Sequence, residues 1–266
     1  MRDSRTQIPI YIISLVGSPR RDACREILDR TGVNYCFFDA VNGKTLSYAD
    51  ICTVFDEVQN RVGFKRKLSS AEIGCYLSHQ RLWQKIADGE EQAALILEDD
   101  CHILPELPHF LKSAASFDLS EVVIKLDGQS DKPRRLKPGS VVQLGPFCVG
   151  EPYKIPALTT GYIIGKKAAA AMLGARRRFY RPVDLDFKFV WEHRVPVLIS
   201  DRVVVSEHRD ALATSAICNS RSAVKKGDVL SRFVANMKHQ SVLKFKTIMW
   251  NGSRREFNTL KKYNEA

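Results

Sequence analysis

The chain has 266 residues, 44% of them hydrophobic, and a formal charge of +11. That length can bury one large core or a core with an appendage, and no apolar run approaches the roughly 20 residues that span a bilayer. Seven scattered cysteines (Cys24, Cys36, Cys52, Cys75, Cys101, Cys148, Cys218) form no Cys-x-x-Cys pair, which favours free thiols in a reducing compartment over disulfides or a zinc site. The opening segment is a poor secretory signal: its apolar stretch is short, Pro9 interrupts it, and no small-residue cleavage site precedes Gly17. Cytoplasmic residence is therefore expected. The charge is uneven, because eleven Lys or Arg face three acids from Arg221 to Ala266, leaving a surplus of only three on the first 220 residues. Such a basic tail suits an anionic lipid surface or another polyanion. No nucleic-acid recognition motif accompanies it, so no nucleic-acid partner is expected.

In chain order, "IPIYIISL" (8–15) reads as a strand, "GSP" as a turn, and "RRDACREILDR" as a helix that Gly32 ends. "VNYCFF" (33–38) is a second strand, stopped by Asn42-Gly43. Residues 44–67 read as irregular, with a short helix and a basic loop. "LSSAEIGCYLSHQRLWQKIADG" is the clearest helix: Ser69 or Ser70 can cap it with Glu72 in the reciprocal position, and Gly89 stops it. "ALIL" is a short, wholly apolar strand of the buried parallel kind. A helix near "PELPHFLKSAASF" and a strand "EVVIKL" (121–126) follow. The Pro- and Gly-rich stretch 127–156, with one hairpin near "SVVQL", has the character of a binding loop. "TTGYIIGKKAAAAMLG" gives strand then helix, "RPVDLDFKFVWEH" turn then helix, and "VPVLISDRVVVSEH" one or two strands. Alternating β and α elements predict an α/β layered sheet.

In open α/β sheets, ligands gather beyond the C-terminal strand ends. Glu98, Asp99 and Asp100 stand there, directly after "ALIL". Adjacent carboxylates repel, and more so as water is excluded. Glu98-x-Asp100 can present oxygens to a hard divalent cation that also takes diphosphate oxygens; the competing reading is a solvated turn. His208 follows a later apolar strand and can complete such a site. Arg20 and Arg21 open a helix, where anions are favoured. Ser78 and His79 lie mid-helix and either hold packing through internal hydrogen bonds or face a ligand. Asp184 and Asp186 form a second acidic pair, suited to general-base work or, for Asp184, to helix capping.

Several ordered blocks resemble glycosyltransferase family 25, the lipooligosaccharide-biosynthesis galactosyltransferases with relatives among the collagen galactosyltransferases. The blocks are "IYIISLVGSPRR", "FFDAVNG", "EIGCYLSH" with Trp83, "LILEDD", "GYIIGKKAA" and "PVD", and together they cover most of residues 8–215. Gly165 departs from the family, which often has Ser there. The resemblance implies a GT-A-like single Rossmann-type α/β domain over residues 1–215, with a central, mostly parallel sheet and a basic helical extension over 216–266. It implies transfer of a hexose, most often galactose, from a UDP-sugar with inversion. It also implies a divalent metal, usually manganese with magnesium as the alternative, and a lipid-linked saccharide acceptor at the inner face of the inner membrane. Under it, Glu98, Asp100 and His208 hold the metal. Arg20, Arg21, Asp39, Ser78, His79 and Asp99 line the donor, and Asp184, with Asp186 second, is the base. A metal-dependent phosphohydrolase and a polyanion-binding protein with a decayed site are the competing expectations.

Overall fold

The chain's computed structural model describes residues 7–30, 32–128, 134–207, 237, 241–247 and 249–250. Ile10–Ser14 (β1) turns into Pro19–Asp29 (α1), whose cap Ser18 accepts the Arg20 amide hydrogen. Cys36–Asp39 (β2) follows. The stretch expected to be irregular forms two short helices, Tyr48–Val54 (α2) and Glu57–Gly63 (α3), because Ser47 and Asp56 each cap a first turn. Ser70–Asp88 (α4) has Ser69 as its cap and Glu72 in the reciprocal role. The Glu72 carboxylate also takes a two-pronged pair from Arg66 at 2.5 and 2.7 Å.

Ala93–Glu98 (β3), Cys101–Ile103 (β4), Leu107–Ala114 (α5) and Val123–Lys125 (β5) come next. The expected hairpin is Val142–Leu144 (β6) with Phe147–Gly150 (β7). Gly161–Gly165 (β8) and Lys166–Ala175 (α6) match their expected strand and helix. The turn and helix expected over 181–193 are instead two short helices, Val183–Asp186 (α7) and Val190–His193 (α8). Phe187 and Phe189, both buried, occupy the break. Val197–Ser200 (β9) and Val205–Glu207 (β10) end the described core.

The α/β layering is as expected, around an eight-stranded sheet ordered β2-β1-β3-β8-β5-β9-β7-β6. Its pairing is mixed. β1 runs parallel to β2 and β3, and β5 runs parallel to β9, while β8 lies antiparallel between β3 and β5. Strand alternation divides the core between the two faces. Ile12, Leu95, Leu97, Ile124 and Ile163 pack with Leu28, Leu107 and Phe110 of α1 and α5. Ala94, Ile96, Val123, Tyr162 and Ile164 pack with Tyr76, Trp83 and Met172 of α4 and α6. Glu98 shares the parity of Ala94 and Ile96, so it meets α4. α4 approaches the loop after β2 so closely that a Cβ on Gly74 would overlap the Val41 carbonyl and the Gly43 amide. A two-stranded sheet of β4 and β10, unforeseen in the sequence, pairs Cys101 with Glu207.

The cysteines resolved in this fold, Cys24, Cys36, Cys52, Cys75, Cys101 and Cys148, are free. No helix among the described residues is long and apolar enough to cross a membrane. Most of the basic extension, and with it His208, lies outside the described residues. Within the described part, residues 241–247 are helical and Trp250 packs against the α4–α6 side of the core.

Candidate active site

The acids gather at the C-terminal end of β3. Glu98 is the last residue of the strand, and Asp99 and Asp100 form the turn into β4. Their side chains retain only 24%, 12% and 15% exposure, so water alone does not relieve the repulsion. Arg20 does part of that work: one guanidinium nitrogen bridges Asp99 at 2.6 Å and Asp100 at 2.8 Å. Ser14, at the end of β1, donates a 2.7 Å hydrogen bond to Asp99. Burial raises the Asp99 carboxyl pKa against the opposing pull of Arg20 and Ser14.

Glu98 is held from two sides. The Thr159 hydroxyl donates to Oε1 at 2.6 Å, and His79 Nε2 lies 3.1 Å from the same oxygen. Donor accounting fixes the imidazole. Trp83 Nε1–H can only donate, so the Tyr162 oxygen accepts it at 2.8 Å. The ionised Glu98 only accepts, so the Nε2 facing it carries the ring proton, and the Tyr162 hydroxyl donates to His79 Nδ1 at 2.8 Å. Burial works to raise the Glu98 pKa, but the hydrogen bonds from His79 and Thr159 outweigh it, and the net shift is downward.

Asp100 is the exception. Its carboxyl is pushed up to about 7 by burial, with the Glu98 charge second, and Arg20 only partly offsets both. Its Oδ2 meets Arg20, whereas its buried Oδ1 has no hydrogen-bond partner among the described residues. A buried acceptor left open among like charges is a position that a cation satisfies. The residues present thus fit a divalent cation held by Asp100 and Glu98, with oxygen donors suited to Mn²⁺ or Mg²⁺.

The remaining expected site residues divide. Arg21 pairs with Asp39 at 2.7 Å on the rim beside β2, where the Asp39 side chain is 67% exposed. Arg20 is turned onto the acids and does not stand free at the helix end for a phosphate. Ser78 does not face a donor: its hydroxyl donates to the Gly74 carbonyl and accepts the Val41 amide, stitching α4 to the loop after β2. His79 is fully buried behind Glu98, so it orients that carboxylate and does not line a donor pocket.

Asp186 cannot act as a base. It is fully buried and held by Arg176 at 2.7 Å, by Arg181 at 2.5 Å and by the Tyr76 hydroxyl. Against the opposing effect of burial, Arg181 and Arg176 hold its carboxyl down at about 2. Asp184 is only half-buried, and it stands inside α7, whose cap position is Pro182. Its charge acts on Cys75, the thiol bordering Glu98, which places it toward the α4 side of the acids.

Two residues at the site escaped the sequence reading. Thr159 reaches Glu98 because β8 runs antiparallel to β3, which brings its N-terminal approach to the C-terminal end of β3. Glu207, opposite Cys101, has a pKa raised by burial and then by Glu98 and Asp127, so it belongs to the same acidic field. Its signal was its place immediately before His208.

Comparison with known proteins agrees with the earlier resemblance. The family model described as glycosyltransferase family 25 (LPS biosynthesis protein) matches residues 7–144. A protein of Aedes aegypti named glycosyltransferase 25 family member is 36% identical over 100 residues, covering 36% of this chain and 16% of that protein. Procollagen galactosyltransferase 1-A of Xenopus laevis is 30% identical over 221 residues, covering 77% of this chain and 34% of that protein. Human procollagen galactosyltransferase 2 is 26% identical over 174 residues, covering 62% and 27% respectively. The matched segments thus span about a third or less of these relatives' lengths.

Proposed function

We propose, for a chain that belongs to glycosyltransferase family 25, that the acids after β3 are the diphosphate handle of a sugar-transfer site. The chain on this reading moves a hexose, with galactose the first candidate, from a UDP-sugar to a saccharide hydroxyl with inversion. The observation that carries the reading is Asp100, a largely buried carboxyl whose Oδ1 has no partner among the described residues and whose acidity is weakened to about 7. A purely structural turn has no need of such a group.

In this mechanism Asp100 and Glu98 hold the divalent cation. When bound, the cation supplies Lewis-acid charge that stabilises the departing nucleoside diphosphate. Arg20 keeps Asp99 and Asp100 together as like charges, and His79 and Thr159 fix the orientation of Glu98. Arg21 on the rim offers a guanidinium to the nucleotide side. Asp184 takes the proton of the acceptor hydroxyl as that oxygen attacks the anomeric carbon, one displacement that inverts the centre. The acceptor is a lipid-linked saccharide at the cytoplasmic face of the inner membrane. There the basic residues of 221–266 meet anionic lipid at about 1 kcal/mol each.

A thermal-shift panel of UDP-, GDP- and CMP-sugars with and without Mn²⁺ tests this on wild type and Asp100→Asn. Ligand at 100 times its dissociation constant stabilises by about 2.7 kcal/mol, a shift of several degrees at this size. The expected result is a shift with a UDP-sugar that needs Mn²⁺ and disappears in the variant. A shift with metal alone and turnover of simple phosphate esters would favour a phosphohydrolase. No shift with any nucleotide sugar would overturn the reading.

A further inference from the structure

Cys75 lies one helical turn before His79 on α4, and both face Glu98. One donor atom from each of the three falls within 4.8 Å of the other two. The sulfur has no place in the sugar-transfer chemistry above. Oxygen ligands suffice for Mn²⁺, and a thiol selects a softer ion.

The geometry points to a second metal site: we propose that Cys75, His79 and Glu98 bind a thiophilic divalent cation, zinc in the first instance, which captures Glu98 from the handle and so inhibits transfer. The inhibitory part rests on the reading of Glu98 given above, while the binding itself does not. The His79 Nε2 to Glu98 Oε1 separation is 3.1 Å. Neighbouring nitrogen and oxygen ligands of a tetrahedral zinc stand about 3.3 Å apart, so this edge already has ligand spacing, and the Cys75 sulfur closes in from within 4.8 Å. Cys75 supplies the third ligand, and water completes the four.

Ligation reverses the hydrogen bond behind the ring. With Nε2 on the metal, the imidazole carries its proton on Nδ1 and donates it to the Tyr162 oxygen. That oxygen then accepts from both His79 and Trp83, and its own hydrogen turns away from Nδ1. The zinc–sulfur bond forms as the S–H bond breaks, and one proton leaves to solvent. In the metal-free protein, burial and then the Glu98, Asp184 and Asp100 charges keep the Cys75 thiol protonated. A dication reverses that field.

The test uses the full chain, freed of metal and titrated with Co²⁺ as a spectroscopic probe, then with Zn²⁺ in competition. Wild type is expected to develop a thiolate-to-cobalt charge-transfer band that zinc abolishes. Cys75→Ser is expected to lose the band and to bind zinc roughly tenfold more weakly or worse, since even supporting-shell changes cost 10–100-fold. Cys52→Ser, which alters an exposed thiol on α2, is expected to keep the band. An unchanged melting temperature of metal-free Cys75→Ser establishes that it is folded. Asp100→Asn is expected to keep the cobalt band whatever becomes of its nucleotide-sugar response, which separates this site from the handle. No thiolate band in wild type, or a band that survives in Cys75→Ser, would overturn the proposal.

Discussion

Asp100→Asn is expected to stabilise the metal-free protein at neutral and alkaline pH. The Asp100 carboxyl rises from 3.8 to about 7 on folding, chiefly through burial and then through Glu98. At ~1.4 kcal/mol per pH unit of displacement, its ionisation costs the folded state on the order of 4 kcal/mol. The pull of Arg20 is already contained in that shift, and solvent reaching a side chain that keeps 15% exposure screens part of the cost. About 2 kcal/mol is a fair net expectation, or roughly 4–8 °C in melting temperature for a domain of this size. A group whose folded pKa is raised is fully tolerated below its unfolded pKa, and the cost accrues as pH rises through the folded value. The advantage of the variant should therefore be absent near pH 4, grow between pH 4 and 7, and level off above 7. Melting curves of both proteins in chelator across pH 4–8.5 measure it. A metal-free variant less stable than wild type at pH 8 would refute the reasoning, because Asp100 would then be a structural carboxylate and not a cation's open seat.

Asp186→Asn should do the opposite. Removing one partner from a buried pair costs about 3–5 kcal/mol, so denaturant unfolding should show a large loss at pH 7. The part carried by ionisation, about 2–3 kcal/mol at ~1.4 kcal/mol per pH unit, is present above pH 3.8 and disappears as pH falls toward the folded value of about 2; equal stability at pH 7 would contradict it. Asp184→Asn should leave nucleotide-sugar binding intact while lowering transfer by roughly 10²–10⁴-fold, the usual range for a general base; unchanged turnover would remove Asp184 from that role. Gly165→Ser should destabilise this chain. A Cβ at this position overlaps the Leu119 and Ser120 backbone carbonyls, and an unshifted melting temperature would show that the backbone yields. Deleting residues 221–266 should release the protein from anionic vesicles at moderate salt; retained binding would place the membrane contact elsewhere.

The elements whose signals are local were readable in the sequence. Ser69 and Glu72 announced the start of α4, and the apolar run before Glu98 announced a buried strand with acids at its end. The resemblance supplied the chemistry that spacing alone left open. What escaped the sequence depends on strand direction and on pairs distant in the chain. The antiparallel entry of β8 brings Thr159 to Glu98, and nothing in "TTGYIIG" reveals its direction. Arg20 looked like a phosphate ligand from its helix end, but it is turned onto Asp99 and Asp100 across the sheet edge. Asp186 looked like Asp184 two residues earlier. Only burial beside Arg176 and Arg181 separates the structural acid from the accessible one. His79 lay between packing and ligand roles in the sequence, and its fold position combines them: it is buried, yet it touches the acid that matters.

The most direct test of the central claim is the electron paramagnetic resonance signal of Mn²⁺ titrated with the protein in the presence and absence of UDP. The acid cluster as a metal–diphosphate handle predicts protein-dependent loss of the free-ion signal that UDP strengthens, and its disappearance in Asp100→Asn. Mn²⁺ that stays free beside wild-type protein and UDP, or binds equally to Asp100→Asn, would contradict it.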